Sequence, residues 1–309
     1  MVNRELIRLK TVQLVYAQCQ NRKENTDAVE EELVKSMAEA YDLYHYLLLL
    51  IVEINNIALR EVETQQNRAE RLGIEDDVNT KFVKNRFVLQ LEQNKQLEAY
   101  RDDTHRSWFE YEEFVRDLYR QIKNSELYKE YMACQESSYE EDREFWRKAY
   151  RQFIVDNEKL SDILEDLNLY WNDDRFVVDS FVLKTIKQLD ASAGAEAALM
   201  PEFRSDQDRD YAVRLVRNAI ENGDAYRELI NQHSRNWDLS RLALMDIVIM
   251  QTALAEIITC PEVPVQVSIS EFVEIAKAYS TPRSGSYVNA MLDNICKTLM
   301  AEKKIVKNK

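Results

Sequence analysis

The sequence has very few chain breakers, four glycines and four prolines in 309 residues. That is about 2.6%, against an average usage of roughly 12%. All four prolines (Pro201, Pro261, Pro264, Pro282) lie beyond residue 200, and before them the only glycines are Gly73 and Gly194. Strands need frequent turns, which Gly and Pro usually supply, so a β-rich or α/β chain is nearly excluded and long helices remain. The four cysteines (Cys19, Cys134, Cys260, Cys296) show no CxxC spacing, which excludes a disulfide framework and a zinc site and suits reduced thiols in a cytoplasmic protein. The three histidines (His45, His105, His233) have no metal-ligand spacing, and no Glu-x-x-His occurs, although a di-iron carboxylate bundle needs two. No GxGxxG, P-loop or G-x-S-x-G is present. Neither cofactor nor metal nor enzymatic activity is expected. The longest unbroken apolar run, Tyr46 to Val52, has seven residues, far short of the roughly 20 a membrane span needs. Arg4, Glu5, Arg8 and Lys10 interrupt any signal segment. The expectation is a soluble, cytoplasmic, all-α protein.

What the chain does have is acid: 55 acidic against 41 basic side chains, a net charge of −14. Such a balance argues against phosphate binding, which uses Lys and Arg, until the chain is divided. Residues 1–24 carry +3, residues 297–309 carry +4, and the body between them −21. Basic ends are also ordinary solubilising tails.

Asn3 to Gln20 reads as a first helix, with Arg4 and Arg8 spaced i,i+4 on one side. From about Asp27 a long helix runs through Met37, Ala40, Tyr44, Leu47, Leu48 and Ile51, with no breaker before Gly73. Residues 74–190 are acidic and rich in aromatics. Trp108, Tyr111, Val115, Leu118 and Ile122 form one helical stripe, and Leu160, Leu164, Leu167 and Trp171 repeat it. At that spacing aromatics are core rather than a base-stacking surface. Ser138 to Glu141 has the form of a capping box. The loop from Asp190 through Pro201 reads as the best linker. Beyond it, helices are expected from Ser205 or Asp206 to Asn222, on to His233, over Arg241–Ile258 (capped by Asp238 or Ser240), from a Ser268-Ile-Ser-Glu271 capping box to Tyr279, and from Tyr287 to about Met300.

The loop 281–286 is the best local site. Free N–H groups at Ser286 and Tyr287, the helix dipole, Arg283 and the hydroxyls of Ser284 and Ser286 suit a phosphate. Tyr287 can stack on an unpaired base. The plainer alternative is an ordinary helix cap with an exposed tyrosine.

The same region carries a resemblance. Trp237-Asp-Leu-Ser-Arg-Leu-Ala243…Asp246, Glu256, Val263-Pro264, Val267-Ser-Ile-Ser-Glu271, Glu274-Ile-Ala-Lys277 and Ser286-Tyr-Val-Asn289…Leu292-Asp293 resemble the bacterial NusB antitermination family in order and spacing. Arg4-x-x-x-Arg8…Val12-Gln13-x-x-Tyr16 is similar to that family's Arg-rich first helix. The resemblance covers roughly 1–60 and 205–300. It divides the chain into an N-terminal part of a NusB-like domain (1–73), an acidic helical insertion without counterpart (74–200) and a C-terminal part (201–309). It implies an all-α fold, a NusB-like pair of helical bundles, and a factor that binds boxA-type single-stranded RNA with the ribosomal protein NusE in a transcription elongation complex, with no membrane partner. Carried over, Arg4 and Arg8 would meet phosphates, and Ser284, Tyr287 and Asn289 would lie at a second RNA-contacting edge, which the local loop chemistry extends to Arg283 and Ser286. Gln13, Tyr16, Glu271 and Lys277 would be structural. Ile247 and Gln251 stand where the family has arginines, Ser286 for a lysine and Ala290 for a glycine, and each lost cation weakens phosphate attraction. The alternative function is a protein–protein scaffold of the same fold. The related RNA methyltransferases need an α/β domain that this composition rules out.

Overall fold

With no breaker for 47 residues, the chain builds one very long helix. In the computed structural model, which describes residues 1–21, 26–74, 78–134, 137–234 and 242–305, α1 (Arg4–Asn21) is followed by α2 (Thr26–Leu72). Arg22, Lys23, Trp237, Asp238, Ser240, Arg241, Lys307 and Lys309 lie outside the described residues. α2 stops where Gly73 adopts φ +59°. Gly73 N–H returns to the Glu70 carbonyl (3.1 Å) and Ile74 N–H to that of Ala69 (3.0 Å), a Schellman closure that only a left-handed residue permits at no steric cost. Leu43, Leu47, Leu48, Leu50, Ile51 and Ile54 of this helix are wholly buried, each contributing about 1.5–3 kcal/mol. By length and composition α2 is long and apolar enough to cross a membrane, but 72% of that apolar window is buried in the protein. Its apolar surface is spent on packing.

Two compact units result. One comprises Met1 and Glu39–Pro201, the other Val2–Ala38 with Glu202–Lys309. The first is acidic, 34 acidic against 21 basic side chains, formally −13, whereas the second carries −1. The acidic unit holds the later part of α2, then α3 (Arg86–Glu92), α4 (Lys95–Thr104), α5 (Glu112–Lys123), α6 (Glu126–Ala133), α7 (Tyr139–Ala149), α8 (Glu158–Leu167) and α9 (Trp171–Gln188). Tyr46, Trp108 and Trp171 are core: the Tyr46 ring stacks on Trp108 (4.2 Å) and meets Trp171 (5.3 Å). Both indole N–H groups donate to α2 carbonyls, Trp108 to Tyr46 (3.0 Å) and Trp171 to Glu39 (2.8 Å). The expected Ser138 capping box is present. The stripe Leu160–Trp171 is broken, because Asn168 is extended and Trp171 opens a new helix. The segment 190–201 is no loose linker: Gln90 donates to the Asp190 and Gly194 carbonyls (2.7 and 3.0 Å), Asn94 to that of Ala197 (2.7 Å), and Leu199 N–H to Gln96 (2.7 Å). A short 3-10 helix, Ala191–Glu196, and the side chains of Gln90, Asn94 and Gln96, the first two of them buried, hold its backbone.

The second unit contains α1, the start of α2, α10 (Asp206–Glu221), α11 (Gly223–His233), α12 (Leu244–Thr259), α13 (Val265–Tyr279) and α14 (Ser284–Ala301). As its near-continuous apolar sequence requires, α12 is the centre, with Val248, Ile249, Met250, Ala253, Leu254 and Ile257 fully buried. α13 starts at Val265, three residues before the expected box, because Pro264 presets the first turn. Ser268 therefore lies inside the helix. Among the described residues there is no β-strand, and one isolated parallel bridge joins Val2 and Phe203.

Candidate nucleic-acid interface

Two polar clusters in the second unit organise the residues named from the sequence. The first gathers around Glu256, wholly buried on α12. Arg8 enters from α1 and binds it through two N–H···O bonds, Nε to Oε2 (2.7 Å) and Nη2 to Oε1 (3.0 Å). The remaining arm of the guanidinium reaches Glu271 of α13 (2.9 Å). Ser268 donates to Glu256 Oε1 (2.7 Å) and the Tyr211 hydroxyl of α10 to Oε2. Burial works against the Arg8 charge, but the bond and field of Glu256, helped by Tyr211 and Glu271, more than offset it and hold the guanidinium charged. Burial and the Glu256 charge raise the Tyr211 phenol, which stays a donor. Arg4, one turn before Arg8, lies over the Tyr211 ring (4.8 Å) and 3.5 Å from Asp208, about a third of its side chain exposed.

This placement differs from the expectation for Arg8. The i,i+4 pair does share one side of α1, but that side turns inward: Arg8 is 3% exposed, and its donors are committed to two carboxylates. Glu271 is structural as expected, through Arg8. Lys277 pairs with Glu274 (2.7 Å), and its stem packs over Gly285, where a Cβ would come within 2.7 Å of Lys277 Cγ.

The second cluster anchors the loop before α14. Asp246, buried near the start of α12, accepts from Ser280 Oγ (2.7 Å) and Ser284 Oγ (2.9 Å). Thr281 N–H donates back to Ser284 Oγ (3.1 Å). With this anchor α14 begins at Ser284 rather than Tyr287, so the Tyr287 amide is taken into the helix, donating to Arg283 O (3.2 Å). Ser284 is 1% exposed and fixes the loop. Arg283, Ser286 and Asn289 are exposed, and Tyr287 is half-buried, its phenol raised by that burial. Arg283, Ser286 and Tyr287 follow i,i+3,i+4 spacing and share one side of α14. The structure therefore groups Arg283, Ser286, Tyr287 and Asn289 in one exposed edge, with Arg4 on a separate element and Arg8 and Ser284 inside.

Sequence reasoning missed Arg227. Gln251 is 1% exposed, accepts from Arg227 Nε (2.9 Å) and donates to the Ala219 carbonyl (2.7 Å). The close approach needs Gly223, whose Cβ would lie 2.8 Å from Gln251 Nε2. A guanidinium thus stands beside position 251, delivered by α11. A cleft of about 460 Å³ opens there, lined by Gln18, Cys19, Thr26 and Arg227 among others. Nothing in local spacing links positions 227 and 251.

Comparison with known proteins adds to this geometry. A sequence model described as the NusB family matches residues 180–297, which include α10 to α13 and most of α14. The transcription antitermination protein NusB of Salinibacter ruber (strain DSM 13855 / M31) is 37% identical over 120 residues, 37% of this chain and 75% of that protein. The protein of the same name from Geotalea daltonii is 32% identical over 131 residues, 42% of this chain and 88% of that one. The one from Syntrophotalea carbinolica is 42% identical over 90 residues, 29% and 58%. Among solved structures, T. maritima NusB is 31% identical, covering 38% of this chain and 82% of that one, with a TM-score of 0.29.

Proposed function

The chain belongs to the NusB family, and from that premise we propose that it is a non-enzymatic transcription antitermination factor binding boxA-type single-stranded RNA of nascent ribosomal transcripts together with NusE. The observation that carries the reading is the α14 edge: the family match includes the elements that build it, and Asp246 holds its loop in one conformation. A preset loop loses less entropy on binding. Arg283 supplies charge to a phosphate, Ser286 and Asn289 hydrogen bonds, and Tyr287 a stacking face. Arg4, about a third exposed and 3.5 Å from Asp208, adds a second cation. Such a factor works in the cytoplasm, within the transcription elongation complex. The acidic charge does not oppose this, since −13 of −14 belongs to the other unit.

The deciding experiment measures binding of the full chain to boxA RNA, with and without NusE, across a salt series. Affinity rises with NusE and falls with salt. With Arg283 of the edge and Arg4 of α1 as the contacting cations, the log–log slope is about −1.4, at about −0.7 per phosphate on a single strand. Absence of salt-dependent binding under both conditions favours the scaffold reading, which has its own support in the burial of Arg8 against Glu256.

A further inference from the structure

One cleft of the acidic unit is basic. It has a volume of about 570 Å³ and is lined by Lys81, Lys84 and Arg86, together with Thr80, Ser137 and Asp142 among others. Lys81 and Lys84 lie in the turn before α3, and Arg86 is the first residue of that helix. Asp142, the one acidic residue among those lining the cleft, is 1% exposed. Its carboxylate already accepts from the Arg86 backbone N–H (2.8 Å), the Tyr131 hydroxyl (2.5 Å) and the Ser137 hydroxyl. Lys81 is engaged as well, its ammonium donating to the Tyr131 and Cys134 carbonyls. Lys84 and Arg86 are different. Both are exposed, and among the described residues no carboxylate pairs with either, although the unit holds 34 acidic side chains for 21 basic ones. Glu75, Asp76, Asp77 and Glu136 lie outside the described residues.

Three cations around one concave surface focus a positive potential and raise the local concentration of anions. Arginine offers a planar fork that matches phosphoryl oxygens, and lysine a point charge. The volume lies in the range of small-molecule sites. None of the described residues lining the cleft is aromatic, so a base finds no stacking face there and the phosphates must supply the affinity. A long polyanion is disfavoured, because a second cleft that shares Lys81 is lined by Glu130, Glu140, Glu141 and Glu144, and the unit as a whole carries −13. A small anion stays among the cations and escapes that repulsion. We infer that this cleft binds a small molecule bearing two or more phosphoryl groups, held by Lys84 and Arg86 with Lys81 and the Thr80 hydroxyl beside them. More than one cation matches more than one phosphoryl charge. The site lies in the other unit from the α14 edge and is independent of the RNA reading.

The test is titration calorimetry of the full chain with sodium pyrophosphate, at low salt and without divalent metal. Pyrophosphate binds one per chain, more tightly than orthophosphate, and its affinity falls as salt rises. The double variant Lys84→Gln/Arg86→Gln loses at least about tenfold in affinity. Its melting temperature is unchanged, because both side chains are exposed and neither is in an ion pair. The control Arg151→Gln/Lys187→Gln removes the same charge from exposed residues of the same unit that do not line the cleft, and it keeps the wild-type affinity. Failure of wild type to bind pyrophosphate overturns the inference. An equal loss in both double variants does so too, since only the net charge of the unit would then matter. A third arm adds boxA RNA. If the RNA displaces pyrophosphate and Lys84→Gln/Arg86→Gln weakens RNA binding, the cleft belongs to an RNA path and the small-molecule assignment falls.

Discussion

Arg8 and Glu256, 248 positions apart in the chain, meet across the interior of the second unit through two N–H···O bonds of 2.7 and 3.0 Å. Removing one member of a buried ion pair strands the other and costs about 3–5 kcal/mol. Arg8→Met is therefore expected to lower the unit's thermal midpoint by about 10 °C, at roughly 2–4 °C per kcal/mol for a domain of this size. The double variant Arg8→Met/Glu256→Gln loses less than the two single variants summed, because it leaves no orphan charge. Calorimetry on the four proteins checks this. Strict additivity, or an Arg8→Met variant as stable as wild type, would show that the pair does not hold α1 to α12.

Asp246 and Ser284 give a smaller version of the same argument. Ser284→Ala removes a donor to a buried carboxylate, so the loss is about 1–3 kcal/mol, and Ser280 alone then tethers the loop. RNA affinity falls with it through disorder of the loop, since the Ser284 side chain is buried. Amide exchange over residues 280–286 is the measurement: protection drops there and stays unchanged in α12. If RNA binding falls with exchange unaltered, Ser284 touches the RNA directly.

The exposed edge should behave in the opposite way. Tyr287→Ala removes a stacking face worth about 1–3 kcal/mol, so the RNA dissociation constant rises at least about fivefold. Arg283→Ala weakens binding and flattens the salt slope by about 0.7. Arg283 is exposed, so Arg283→Ala leaves the melting temperature nearly unchanged. Fluorescence anisotropy with boxA RNA reads both effects. Full affinity in both variants moves the proposed RNA site away from α14.

In the acidic unit, His45 imposes a pH dependence. Its ring is 5% exposed, stacked on Tyr100 (4.8 Å) with Nδ1 on the Tyr41 carbonyl (3.0 Å). Burial lowers its pKa from 6.5 to about 4. The folded state thus binds the proton less readily than the unfolded one. The stabilisation is complete above pH 6.5 and is lost as pH falls from 6.5 toward 4, by about 3 kcal/mol in total. The difference in urea stability between wild type and His45→Phe, followed over pH 7 to 4, isolates this contribution. A constant difference would mean that the folded and unfolded chains bind the proton alike, so that burial leaves the imidazole unshifted.

These expectations show what was legible in the sequence. The helical class and the 47-residue α2 followed from the absence of Gly and Pro, and Gly73 marks its end. The side of α1 carrying Arg4 and Arg8 followed from their spacing. That this side faces inward did not, because the acceptors sit at positions 256 and 271, and no local rule joins residue 8 to either. For the same reason Ser284 looked like a surface hydroxyl: its partner Asp246 lies on another helix. Ser268 has the spacing of a cap, but Pro264 starts the helix a turn earlier. Local periodicity shows which faces are apolar, whereas long-range pairing decides which polar residues are buried.

The boundary of the acidic unit has a consequence for truncation. Family resemblance alone puts the insertion at 74–200, yet the compact unit begins at Glu39 and uses Leu43, Tyr44, Leu47, Leu48 and Ile51 of α2 as its core. Deleting 74–200 uncovers those side chains along a continuous helix, and such a patch promotes association. That protein is expected to aggregate or to bind a hydrophobic dye. Deleting 39–201 instead, with a flexible Gly/Ser linker from Ala38 to Glu202, removes the apolar stretch together with its partners and leaves Arg8, Glu256 and Asp246 with theirs. This shorter protein should melt cooperatively and keep its helical circular dichroism. Should the first deletion fold and the second fail, the core of the acidic unit would have to be built without α2.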